Sequence, residues 1–139
     1  MLLEGNSATR MMLLIGVGKS ANTTIINVLV KILGTHNVAA LRTHLLHERF
    51  EIGPLYGKTL ITACDVPGHF MQHVGAQALK KLVGHDYVPG EVKGAMREVP
   101  VAGDCGCAVT CNEKPLVRLQ GEDDVGAWRR RLLLIYFQK

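Results

Sequence analysis

The sequence predicts an α/β layer built on a parallel sheet, and three observations point there. Short continuous apolar runs recur along the chain: MMLLIG at 11–16, TLITACD at 59–65 and GCAVTCN at 106–112. Runs of that kind read as strands buried on both faces, which requires helices above and below a sheet. Segments with helical spacing lie between them, and strands alternating with helices produce parallel crossovers. Aromatic residues are only 5% of the 139, so the core must be aliphatic, which suits a helix-covered sheet better than a small barrel.

The elements follow in order. The first ten residues are polar and expected to fray, leaving a single domain over 11–139. After the first strand, VGKSAN is a small-residue loop. TTIINVLVKILG (23–34) carries apolar residues at 25, 26, 28, 29, 30, 32 and 33, so it reads as a well-buried helix with Gly34 as its C-cap. NVAALR (37–42) is expected as a strand and HLLHERF (44–50) as a short helix. FMQHVGAQALKKLVG (70–84) has the spacing of one amphipathic helix, closed by Gly84. DYVPGEVKGAMREVPV (86–101) places Pro and Gly between alternating segments, which predicts an extended β-hairpin with Lys93-Gly94 near its tip. WRRRLLLIYF (128–137) is a basic cluster running into a buried strand.

Composition excludes several classes. Apolar residues are 47% and charged residues 20%, which supports a packed core rather than wholesale disorder. No apolar run approaches the roughly 18 residues of a membrane span. The start, MLLEGNSATR, lacks a basic segment of the kind a secretory signal needs, so a cytoplasmic location is expected. The formal net charge of +4 is compatible with a polyanionic partner. Cys105, Cys107 and Cys111 share strand parity, while Cys64 lies in another run. Neighbours two apart on a strand are separated by roughly 6.5 Å, too far to share one zinc conveniently without a turn. The four cysteines therefore read as buried small apolar side chains in a reducing compartment.

In parallel sheets, ligands collect at the carboxyl ends of the strands. Three residues fall there: Gly16 opens a small-residue loop, Asp65 ends the second strong strand, and Asn112 ends the third. That is the outline of a nucleoside-triphosphatase, with a loop and helix for phosphates, an acid for magnesium, and a polar sensor. The phosphate loop G-x-x-x-x-G-K-[ST] admits two frames. Taking Lys19 as its lysine requires glycine at 13, which is Leu13. Starting from Gly16 places Ala21, Asn22 and Thr23 at the closing positions and sets the hydroxyl at the helix start. The second frame is preferred. The loop residues are then Gly16, Gly18, Lys19, Ser20, Ala21, Asn22, Thr23 and Thr24, and Asp65 is the candidate for magnesium binding or water activation. Asn22 brings no positive charge, and losing one charged donor to a developing anion costs on the order of 10²- to 10³-fold in rate.

Other cations extend the reading. Arg129, Arg130 and Arg131 are either a solvated run or a source of an arginine for a neighbouring subunit's triphosphate. Lys93 and Arg97 on the hairpin, and Lys80 and Lys81 on the helix before it, would offer cations to a nucleic-acid backbone. His69 and His73 are spaced i,i+4, which suits a metal only if both are helical and a third ligand exists. The remaining histidines read as surface residues.

Taken together, the segments LLIGVGKSANTTIINVLVKILG, RFEIGPLYGKTLITACDVP, LKKLVGHDYVPGEVKG, VTCNEKP and GAWRRRLLLIYF resemble the helicase domain of phage-, plasmid- and poxvirus-type primase–helicases, in superfamily 3 of the AAA+ class. The resemblance spans about 11–137. It implies a three-layer P-loop fold with an inserted hairpin, ATP and Mg²⁺ as cofactors, and single-stranded or forked DNA as partner. It implies homo-oligomers, typically hexameric rings. Gly16 to Thr24 would be the Walker A loop with Thr23 as the magnesium-binding hydroxyl, Asp65 the Walker B acid that shares the Mg²⁺, Asn112 sensor 1, and Arg130 or Arg131 the arginine finger. Lys80, Gly84 and Asp86 match LK-x-x-x-G-x-D, and Lys93 matches the basic hairpin residue facing DNA. The sequence departs from the pattern at Asn22 and Ala21, and it leaves no room for the flanking domains of such proteins, so a fragment of a longer parent, a prophage-like remnant or a specialised short form is expected, the fragment first. Three functions follow: an ATP-dependent DNA helicase domain weakened at Asn22, a non-catalytic nucleic-acid-binding or assembly module, and an unrelated small P-loop enzyme. The last lacks an evident acceptor-substrate lid.

Overall fold

The computed structural model describes residues 7–17, 21–94, 97–117 and 121–138. Gly18, Lys19 and Ser20 lie outside the described residues, as do 1–6 of the segment expected to fray. Five strands form a sheet in the order β2 (Val38–Ala40), β3 (Leu60–Val66), β6 (Gly106–Cys111), β1 (Met11–Ile15), β7 (Leu132–Tyr136). Every pairing in it is parallel. Two further strands, β4 (Tyr87–Glu91) and β5 (Glu98–Ala102), make a separate antiparallel hairpin. The α/β class expected from the apolar runs is therefore observed, with helices on both faces.

The two faces are unequal. The larger cluster joins Met11, Leu13, Ile61, Cys107 and Val109 to Leu79 and Leu82 of α2 (Ala76–Val83), Trp128 of α3 (Glu122–Arg131), and Val88 and Val101 of the hairpin. The smaller joins Leu14, Leu60 and Ala108 to Ile26 of α1 (Asn22–Leu33). Adjacent residues of one strand thus go to opposite faces, as the pleat demands. The central strand β6 is buried at every position, which accounts for its continuous apolar run.

Several expectations are corrected. α1 is not well buried: it lies across one face, and only Asn22 and Ile26 are buried, with Val28 48% and Ile32 68% exposed. The segment 44–50 forms no α-helix, only a 3-10 turn at Thr43–Leu45 followed by further turns. The helix expected over 70–84 is split into a 3-10 turn at Phe70–Gln72 and α2, because His73 is extended at ψ 155°. The residues 128–131 are the end of α3, which the sequence reading missed, and β7 is an edge strand with Leu134 and Tyr136 exposed. Cys64 is exposed, while Cys105, Cys107 and Cys111 are buried free thiols.

The hairpin agrees with expectation and has a clear local cause. Pro89 faces Pro100 across it, and neither can donate a ladder hydrogen bond, so the ribbon stays outside the main sheet. Val88 and Val101 face inward as an opposed pair. At Gly90 a Cβ would stand 2.8 Å from the backbone nitrogen of Gly53, so only glycine lets β4 cross the 52–55 turn. Among the described residues, no helix is long and apolar enough to cross a membrane.

Candidate functional site

The strand order places β6 between β1 and β3, so the carboxyl ends of all three are neighbours. Ile15 and Val66 both register with Cys111, and the Gly16 N–H donates to the Cys111 carbonyl at 3.1 Å. Gly16, Asp65 and Asn112 are thus brought to one end of the sheet. The Asn112 Nδ2 stands 3.5 Å from Asp65 Oδ1, and both residues are exposed.

Asp65 does not simply end a strand. It sits inside β3 with φ +51°, a left-handed conformation unusual for a residue with a side chain. Its N–H donates to the Thr110 hydroxyl at 2.8 Å. Sequence reasoning missed Thr110, although a lone hydroxyl in the apolar strand GCAVTC was a visible signal. Beside Asp65, burial and the Asp65 charge push the Cys64 thiol pKa up, and the Thr110 hydroxyl offsets part of that.

Ala21 is the N-cap of α1. The first turn of α1 has neither a side-chain cap nor an acidic residue. The N–H groups of a helix's first turn, aided by the helix dipole, can hold an anion. Thr23 and Thr24 are exposed there. Asn22 is only 4% exposed, and its Nδ2 lies 3.4 Å from the Gly16 carbonyl oxygen. Its Oδ1 is buried without a hydrogen-bond partner. A buried unpaired acceptor of that kind costs roughly 1–3 kcal/mol.

The cations expected to act divide into two groups. Lys80 forms a 2.5 Å ion pair with the buried Asp124 and lies 5.8 Å from the Trp128 ring centre. Arg131 turns inward, donating to the carbonyls of Lys80 and Ala127, both at 3.2 Å. These two residues brace α2 against α3. Lys93, Arg97, Arg129 and Arg130 are exposed instead. Arg97 lines a cleft of about 580 Å³ together with Arg49, Phe50, Glu91, Val92 and Glu98. The Arg49 guanidinium lies 5.2 Å from the Phe50 ring centre and pairs with Glu91 at 2.7 Å. Phe50, partly exposed, is a second residue the sequence reading passed over.

Position along the strands decides what the arginines can reach. Leu132 pairs with Met11, so Arg130 and Arg131 stand at the amino ends of the strands. Asp65 and Asn112 stand at the carboxyl ends. The four-residue rise from Met11 to Ile15 alone separates these ends by roughly 13 Å. His69 and His73 flank the 3-10 turn with ring centres 5.4 Å apart. Among the described residues, no group of three or more His, Cys, Asp or Glu is placed to hold a metal ion.

Comparison with known proteins bears on the fold. Three solved structures of the NrS-1 C-terminal region are similar to the chain. The A-form apo structure matches at TM-score 0.69 and 19% identity, over 93% of this chain. A second A-form apo structure, of residues 305–718, matches at 0.66 and 16% over 95%, and another apo structure of that region at 0.69 and 19% over 93%. The chain spans 29–30% of the length of those structures. No curated protein matches the sequence. A family model described as "Family of unknown function (DUF5906)" matches residues 14–131, and the chain belongs to that family.

Proposed function

We propose that this member of the DUF5906 family is a nucleoside-triphosphate-binding P-loop domain of the replication-helicase type, acting on DNA. The observation that carries the reading is the convergence of Gly16, Asp65 and Asn112 at adjacent strand ends, beside the uncapped start of α1. The strand order supports it, since the loop, the acid and the polar sensor belong on three neighbouring strands for triphosphate chemistry.

The residues present fit a phosphate and a divalent cation. The N–H groups of the α1 first turn would hold phosphate oxygens. The Asp65 carboxylate and the Thr23 hydroxyl would hold Mg²⁺, and Asn112 would orient a water or the terminal phosphate. Bound Mg-ATP would supply a transferable phosphoryl group. Nothing at position 22 supplies charge: the Asn22 amide is buried, with its Nδ2 turned to the Gly16 carbonyl. Binding is therefore retained on this reading and turnover is weak. On this reading Arg130, which precedes β7 at the other end of the sheet from its own Asp65, would act on a second copy in a ring or another homo-oligomer. DNA would meet Lys93 and Arg97 on the hairpin, with the face of Phe50 as a stacking surface.

A second reading is a non-catalytic nucleic-acid-binding or assembly module that retains the fold without turnover, and Asn22 is the observation that favours it. One experiment separates the two. ATP binding and hydrolysis are measured with and without single-stranded DNA, for the native chain and for Asn22→Lys. DNA-stimulated hydrolysis in the native chain supports the helicase reading. Nucleotide and DNA binding without hydrolysis, with turnover gained in Asn22→Lys, supports the module. Absence of nucleotide binding in both proteins ends the triphosphate reading.

A further inference from the structure

β3 changes parity before its end. Ile61 and Ala63 belong to the larger core cluster, two residues apart as a regular strand dictates. A regular continuation would send the Asp65 carboxylate into the same apolar cluster. Val66 takes that place instead, and Asp65 is exposed. The pairing records the change: Ala63 registers with Val109 and Val66 with Cys111, three steps on β3 against two on β6. One extra residue has been inserted, which is a β-bulge, and such insertions re-aim side chains. The left-handed φ of Asp65 belongs to this local kink.

A bulge leaves the backbone ladder incomplete. Here the Asp65 N–H is satisfied by a side chain, the hydroxyl of Thr110, at 2.8 Å. Thr110 is 1% exposed on a central strand otherwise built of small and apolar residues, so its hydroxyl is a buried polar group that needs such a partner. We propose that Thr110 is a positioning residue: its hydroxyl latches the β3 bulge through the Asp65 N–H and so presents the Asp65 carboxylate at the strand ends rather than to the core. A second consequence rests on the nucleotide reading: Thr110 sets metal affinity at Asp65 without touching nucleotide or metal.

The latch is tested first by amide hydrogen exchange in the native chain, which requires no ligand. The Asp65 amide is expected to be protected although it lies at a bulge. Thr110→Val, which keeps the shape and removes the hydroxyl, is expected to lose at least about tenfold of that protection. Leu13 and Leu60 should stay protected in that variant, and Thr110→Ser should restore the Asp65 amide. An unprotected Asp65 amide in the native chain overturns the latch, whether or not the variants fold. Protection unchanged in Thr110→Val overturns it too.

The consequence is tested by titrating Mn²⁺ into the chain with ATP and by measuring ATP binding in EDTA. Thr110→Val should weaken Mn²⁺ binding by roughly 10- to 100-fold, as loss of a ligand's supporting partner does. Metal-free ATP affinity should not change. Equal Mn²⁺ affinity in both proteins overturns the positioning role. A native chain that binds no ATP in any condition refutes the nucleotide reading, and the exchange experiment still decides the latch.

Discussion

Two polar clusters sit in this domain, and they differ in how far their groups are satisfied. At the carboxyl ends of β1, β3 and β6, Asp65 and Asn112 are exposed, Asp65 is held in a left-handed conformation, and the Asn22 oxygen is buried unpaired. Between α2 and α3, Lys80, Asp124, Trp128 and Arg131 are tied together by an ion pair, a ring contact and two hydrogen bonds. Strain and unmet valence collect at the first cluster, as they do at ligand sites. The second cluster uses its charges to hold two helices. Charge alone does not distinguish a site from a brace; what matters is whether the charge already has a partner.

Removing one partner of the brace gives the largest expected effect. Asp124→Ala leaves the partly buried Lys80 ammonium without its carboxylate and should lower stability to urea by about 3 kcal/mol. Replacing both, as Lys80→Met with Asp124→Leu, should recover most of the loss, because an apolar pair needs no mutual compensation. A single variant as stable as the native chain would remove the brace from the comparison.

The thiols sharpen the contrast between surface and interior. Burial pushes the Cys105 pKa up from 9.0 to about 11 and raises that of Cys107 further. The unfolded chain releases these protons first, so the folded state binds more protons above pH 9 and stability falls as pH rises. The contribution is fully present below pH 9, and the Cys105 share is gone once pH passes about 11. Each group adds a slope of about 1.4 kcal/mol per pH unit within its window. Urea unfolding at pH 8 to 11 measures the slope, and Cys105→Ala should reduce it. A thiol reagent at neutral pH should label Cys64 alone in the folded chain.

The bulge reverses a familiar preference. In a regular strand, glycine is less stable than alanine by roughly 0.5–1 kcal/mol. At position 65 the left-handed φ reverses the order, since a Cβ there costs about 1 kcal/mol or more. Asp65→Gly should therefore be more stable than Asp65→Ala by about 1 kcal/mol in urea unfolding. The opposite order would mean that β3 runs straight through Asp65.

The same positions show what was legible in the sequence and what was not. β6 and β3 were readable because central parallel strands are apolar on both faces, so burial writes a continuous run. The hairpin was readable from its Pro and Gly punctuation. α3 was missed because EDDVGAWRRR buries only Asp124 and Trp128, leaving no apolar stripe to detect, while the following LLLIY drew the eye toward strand. The break at His73 was hidden because the helical spacing of 70–84 persists across it. Gly16, Asp65 and Asn112 were nameable as strand-end residues. The bulge at Asp65 and the partnership of Lys80 with Asp124 are pairings across 45 and 44 residues, which no local pattern encodes.

The smallest stability effect belongs to an exposed arginine of α3, Arg130. Arg131→Ala should cost about 1–2 kcal/mol, because its guanidinium donates to two backbone carbonyls. Arg130→Ala should change stability by no more than about 0.5 kcal/mol, since among the described residues no hydrogen bond or ion pair holds it. On the proposed reading its effect lies elsewhere. Arg130 stands at the far end of the sheet from its own Asp65, so its loss should leave nucleotide affinity intact and reduce only hydrolysis, in the Asn22→Lys background where turnover is measurable. Mixing Arg130→Ala chains with Asp65→Asn chains in that background should restore activity, because one chain then supplies the arginine and the other the intact acid. Mixed chains no more active than either alone would place Arg130 among the solvated charges, and the comparison would rest on Asp65 and Asn112 without a second subunit.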